Sequence, residues 1–65
     1  MEKTITNEFF INNYHILKLD GDKPIGYKSF KIDNKTFPSV IVSDIRDCIA
    51  IIGGESLIGK KVIFS

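Results

Sequence analysis

The feature that most limits this chain is its small size combined with its lack of cross-linking residues. With 65 residues it can form one domain at most, and a domain of this size buries only about 60% of the surface of its unfolded chain. Cys48 is the single cysteine and His15 the single histidine, so one chain can form neither a disulfide nor a four-ligand zinc site. A tight apolar core or a partner chain must therefore stabilise the fold.

Short stretches of β-branched and aromatic residues, separated by turn residues, predict a β-rich fold. The predicted strands cover residues 14–19, 25–32, 36–42 and 57–64, after an extended start at Thr4-Ile5-Thr6. Turns are predicted at residues 20–24 and 33–35, which are rich in Asp, Gly, Asn and Pro. Because proline lacks a backbone N–H, the strand that contains Pro38 should lie at a sheet edge or begin after it.

Residues 44–52 fit two descriptions. As a helix they would be capped by Ser43, ended by Gly53 and apolar along one stripe. As a strand they are dense in isoleucine, and they are followed by a glycine-rich connection to another strand. We favour the strand, which predicts an all-β, single-domain barrel or sandwich of four to six short strands over residues 1–65, of SH3- or OB-like size. The alternative is an α+β fold with one short helix.

Charge and hydropathy exclude several classes of protein. Nine basic and eight acidic residues give a net charge of +1, mixed along the chain, without the one-sided basic surface of a dedicated nucleic-acid binder. Residues 1–11 do not resemble a signal peptide, and no apolar run approaches the roughly 20 residues of a membrane span. We therefore expect a cytoplasmic protein. Frequent Ile, Lys and Asn suggest a low-GC bacterium, phage or plasmid, in which an accessory or inhibitor role would be natural.

No motif predicts a catalytic, metal or cofactor site. Gly54–Lys61 has the glycine and lysine spacing of a P-loop, but Lys61 replaces the Ser or Thr that binds magnesium, and too few residues follow to form a helix. Asp20-Gly21-Asp22 begins like a calcium loop, yet the twelfth position is Lys31 instead of glutamate. We expect a solvated turn there and no enzyme activity.

The lone His15 is predicted to be a structural or surface residue and Cys48 a structural one. A general base needs a nucleophile or an acid within hydrogen-bond reach, and no spacing links His15 to Cys48, Ser56 or Asp44. Apolar neighbours make Cys48 a small core residue instead of a nucleophile.

Two surfaces are candidates for binding. On a strand, Phe9, Phe10 and Ile11 point to alternate sides, so some are exposed unless both sides are covered, which predicts a homo-oligomer or a partner protein. The second candidate is a nucleic-acid surface in which an exposed aromatic stacks on bases and lysines contact phosphates. Its members are Tyr27, Lys28, Lys31, Lys60 and Lys61. We favour the protein-interaction hypothesis.

Overall fold

Six short β-strands form one antiparallel sheet in the computed structural model, which describes residues 1–38 and 45–65. The strands are β1 (Glu2–Ile11), β2 (Tyr14–Leu19), β3 (Ser29–Ile32), β4 (Lys35–Pro38), β5 (Cys48–Ile52) and β6 (Lys61–Phe64). Their order is β4-β3-β6-β1-β2-β5, so the sheet is not closed and β4 and β5 are its edges. The prediction of a small all-β fold with four to six short strands is confirmed.

The β3–β4 hairpin follows directly from its turn residues. Asp33 and Asn34 have φ angles of 50° and 66°, and a two-residue turn with two positive φ angles matches the twist of the flanking strands. Ile32 pairs with Lys35 across this turn. The alternation of hydrogen-bonded pairs then directs the backbone nitrogen of Pro38 away from β3. The predicted turn is confirmed at Asp33-Asn34, with Lys35 already in β4, and the edge position predicted for Pro38 is confirmed.

The apolar core lies on the inner side of the sheet and draws on all strands except β4. Leu17 and Val62 are fully buried, and Phe37 of β4 stacks on Phe30 with 5.5 Å between the ring centroids. Each fully buried aliphatic or aromatic side chain contributes about 1.5–3 kcal/mol. The core cluster comprises Ile5, Leu17, Leu19, Phe30, Ile32, Ile49, Ile51, Val62 and Phe64.

The structure confirms β2 at the predicted residues 14–19 and shortens two other predicted strands. The start predicted at residue 25 is wrong, because Gly26 adopts a φ of 79° in a turn before β3. The start predicted at residue 57 is also wrong, because a turn precedes β6. The strand predicted over residues 36–42 is present as β4, and residues 39–42 lie outside the described residues.

The preference for a strand over a helix near residues 44–52 is confirmed over Cys48–Ile52, whereas residues 45–47 lead into that strand through a turn. β5 pairs with β2 along its whole length, from Lys18 opposite Cys48 to Tyr14 opposite Ile52. Ser43, the residue expected to cap the alternative helix, lies outside the described residues. Within residues 1–38 and 45–65, no helix has the length and hydropathy needed to cross a membrane.

Candidate functional site

A β-bulge in β1 determines which side chains reach the site. Ile5 pairs with Leu19 and Asn7 pairs with Lys18, so Thr6 is an extra residue in β1. One extra residue moves every following side chain to the opposite side of the sheet. Residues 8 and 10 therefore turn toward the inner side, while residues 9 and 11 turn outward.

The bulge brings Glu8 to the buried imidazole of His15. The Nε2 atom of His15 lies 2.6 Å from the Oε1 atom of Glu8, and the His15 side chain is fully buried while that of Glu8 is 11% exposed. The Nδ1 atom of His15 lies 3.1 Å from the carbonyl oxygen of Gly53. Both ring nitrogens thus lie within hydrogen-bond distance of an oxygen atom.

Glu8 also holds the segment between β5 and β6. The Ser56 hydroxyl donates to Oε2 of Glu8 at 2.5 Å, and the Leu57 N–H donates to Oε1 at 3.0 Å. The pKa of Glu8 is lowered mainly by the hydrogen bond from Ser56 and then by that from Leu57. Burial acts in the opposite direction, and contact with His15 lowers the pKa further. The carboxylate is therefore the form of Glu8 that the fold binds.

This polar cluster has the geometry of a tether. Ser56 donates to the Glu8 carboxylate instead of to His15, so these residues do not form the histidine–serine pair of a nucleophilic site. The Phe10 ring stacks on the imidazole with 4.1 Å between centroids and covers it. Cys48 is buried, and burial, with the Asp47 carboxylate adding to it, raises the pKa of its thiol, which keeps the thiol protonated. Asp44 lies outside the described residues.

The opposite side of the same strands carries an exposed apolar surface, here called the outer apolar face. Ile11 pairs with Tyr14, and Tyr14 pairs with Ile52, so their side chains share one side of the sheet. Phe9 lies two residues before Ile11 on β1, so its side chain points to the same side. The exposed fractions are 43% for Phe9, 56% for Ile11, 42% for Tyr14 and 79% for Ile52. The core is complete without these residues, so this face is the strongest candidate for a functional surface.

The three residues predicted for a protein interface are thus divided between two sides. Phe9 and Ile11 belong to the outer apolar face, whereas Phe10 covers His15 on the inner side while remaining 55% exposed. Tyr14 and Ile52 were missed by sequence reasoning, although Tyr14 opens a predicted strand and Ile52 ends the isoleucine run.

The residues predicted for a nucleic-acid surface do not share one kind of environment in the structure. The Tyr27 ring packs edge-on against Phe64 and Phe30, with centroid distances of 4.9 and 6.4 Å, and is half-buried at the rim of the core. Lys28 and Lys31 are exposed. A base stacking on Tyr27 would have to displace core contacts.

The remaining two lysines of that surface lie beside acids. The Nζ atom of Lys60 is 3.2 Å from Asp33, and that of Lys61 is 3.2 Å from Glu2. Both end the segment Gly54–Lys61, which leads into strand β6 instead of the helix that a P-loop requires. Among the described residues, no group of three or more His, Cys, Asp or Glu side chains has a metal-binding arrangement.

Comparisons with protein-family models, with curated proteins and with solved structures find no match to this chain.

Proposed function

We propose that this chain is a non-enzymatic protein-interaction module that self-associates through the outer apolar face. The main support for the proposal is that, at this end of the sheet, apolar side chains face solvent while polar ones are turned inward. Phe9, Ile11, Tyr14 and Ile52 face solvent, whereas Glu8 and His15 are turned inward. Contiguous apolar surface of this kind, on a domain whose core is already complete, is typical of interaction sites.

The size of the face agrees with a weak dimer. The exposed parts of its four side chains amount to roughly 300–400 Å² of apolar surface. A standard interface buries about 800 Å² per partner and is apolar mainly at its centre. The outer apolar face would form that centre, with polar residues around it. We expect dissociation constants in about the micromolar range.

A second copy of the chain is the partner that this face fits best. The face contains no charged side chain, so it requires no complementary charges on its partner. A twofold axis brings the same surface of each copy together, and an uncharged apolar surface is complementary to itself. The net charge of +1 adds little repulsion between copies.

Nucleic-acid binding is the alternative, and its geometric support is weaker. Lys60 and Lys61 lie beside carboxylates, and Tyr27 packs on the core. Lys28 and Lys31 are the remaining exposed candidates. Binding of a labelled oligonucleotide at low salt that weakens steeply as salt is added would favour this alternative.

Sedimentation velocity on dilute and concentrated samples tests the proposal. We expect the mean mass to rise above the monomer's 7.3 kDa with concentration. Ile11→Lys should restore the monomer, because it places a charge at the centre of the interface. Ile63→Lys is the matched control, since Ile63 is an isoleucine on an outer strand position with a similar exposed fraction of 47%.

Two results would contradict the proposal. One is a wild-type chain that remains monomeric at every concentration. The other is an equal loss of association in Ile11→Lys and Ile63→Lys, which would place the contact elsewhere on the protein.

A further inference from the structure

We propose that Glu8 is an acid-sensitive latch that holds the segment Gly53–Gly59 against the sheet, and that protonation of Glu8 releases this segment and exposes more of the apolar cavity that it borders. The proposal does not depend on self-association. It rests on the hydrogen bonds that converge on one carboxylate and on the cavity that the segment borders.

The segment is fixed at both ends and held in the middle by Glu8. At one end the Gly53 N–H donates to the carbonyl of Asn13 at 3.2 Å, and at the other the Gly59 N–H donates to the carbonyl of Ile5 at 2.8 Å. Between these points, Ser56 and Leu57 are bound by the Glu8 carboxylate. Loss of those bonds would free the middle of the segment while its ends remain attached.

Glycines flank the part of the segment that would move. Gly54 has a φ of 102° and Gly59 a φ of 89°, a region of backbone conformation that other residues rarely adopt. Glycine also changes backbone angles at low cost, which suits a hinge. The loop between them can therefore swing without breaking β5 or β6.

A cavity of about 350 Å³ lies beneath the segment. Its apolar walls include Ile32, Phe37 and Ile51, and the segment contributes Gly54 and Leu57. Leu57 is half-buried and packs against the core. If the segment swings away, Leu57 leaves the core and more of the apolar wall of this cavity is exposed.

The charged groups around the latch determine the direction of the pH effect. Ser56 and Leu57 donate to the ionised carboxylate and thereby lower the pKa of Glu8. By linkage, these bonds stabilise the closed segment above the pKa of an unfolded glutamate and are lost as the pH falls through the lower, folded-state pKa. Glu55, on the same segment, is exposed.

His15 reinforces this direction. It packs against Glu8 and Phe10 of β1 and against the backbone of Gly53 and Gly54 in the segment, and Glu8 is the charged side chain among these contacts. After the Ser56 and Leu57 bonds, the hydrogen bond and the charge interaction with His15 also lower the pKa of Glu8. Protonation of Glu8 therefore weakens its contact with His15 as well as its bonds to the segment.

Amide hydrogen exchange, measured by NMR from neutral to acid pH, tests the latch. We expect the protection factor of the Leu57 amide to fall by about tenfold or more in acid, while that of the Leu17 amide in the buried centre of β2 is retained. Glu8→Gln should give the low Leu57 protection already at neutral pH and should remove its pH dependence. Glu55→Gln, the control on the same segment, should behave as the wild type does.

Three results would overturn the proposal. The first is high Leu57 protection in Glu8→Gln at neutral pH. The second is unchanged Leu57 protection in wild type after the Glu8 carboxyl has titrated. The third is simultaneous loss of protection at Leu17 and Leu57, which would mean that Glu8 supports the whole fold and not one segment.

Discussion

The two halves of the sheet differ in where they place some of their polar and apolar side chains. In β3 and β6, Phe30 and Val62 point into the core, and Lys31 and Lys61 point to solvent. At the far end of β1, β2 and β5, the charged and polar groups lie inside and the outer apolar face is exposed. The first half follows the ordinary alternation of an antiparallel strand. The second half departs from it, and local departures of this kind are expected at functional sites.

The bulge at Thr6 accounts for the difference. Without it, Phe9 and Ile11 would lie on the same side as Ile5, inside the fold, and Glu8 would face solvent. Phe9 and Ile11 would then extend the core, and the tether on the segment between β5 and β6 would be lost. One extra residue thus creates both the candidate interface and the candidate latch.

The largest expected effect compares two phenylalanines, one in each half of the sheet. Phe30→Ala should lower the free energy of unfolding by about 3–5 kcal/mol, because Phe30 is 2% exposed and its removal leaves a cavity. Phe9→Ala should change the stability of the monomer by only about 0.5 kcal/mol, because Phe9 faces solvent. Denaturant unfolding at low protein concentration measures both values. Similar losses in the two variants would show that the outer apolar face is part of the core.

The regular half was predictable from the sequence because its determinants are local. Phe30, Lys31 and Ile32 alternate in the sequence as they do in the sheet. The Asp33-Asn34 turn and the edge position of Pro38 follow from the backbone preferences of those residue types. Interpretation of the residues alone therefore located this hairpin correctly.

The inverted half was not predictable, because it depends on pairings between distant residues. No local pattern marks Thr6 as a bulge, and Ser56 is 48 residues from the carboxylate that it binds. His15 was expected to be structural on general grounds, but its partner Glu8 could not be identified without the register of β1 and β2. The sequence did predict exposure within Phe9-Phe10-Ile11, which is where the structure has it.

A smaller effect is expected within the latch. Ser56→Ala removes one of the donors to Glu8 and leaves the Leu57 and His15 bonds, so it should lower stability far less than Phe30→Ala does. It should also reduce the protection of the Leu57 amide at neutral pH, as Glu8→Gln does but to a lesser degree. Ser65→Ala is the control, because Ser65 is exposed and pairs with β3 through its backbone. Equal effects of the two serine variants would contradict the tether.

The most direct test of the central claim, that the outer apolar face is the interaction surface, is a dilution series followed by amide chemical shifts. We predict that concentration-dependent shifts will cluster at Phe9, Ile11, Tyr14 and Ile52. The backbone amide of Lys31 in β3, on the other half of the sheet, should keep the same chemical shift at every concentration. Shifts independent of concentration throughout the chain, or shifts that cluster around Lys31, would contradict the account.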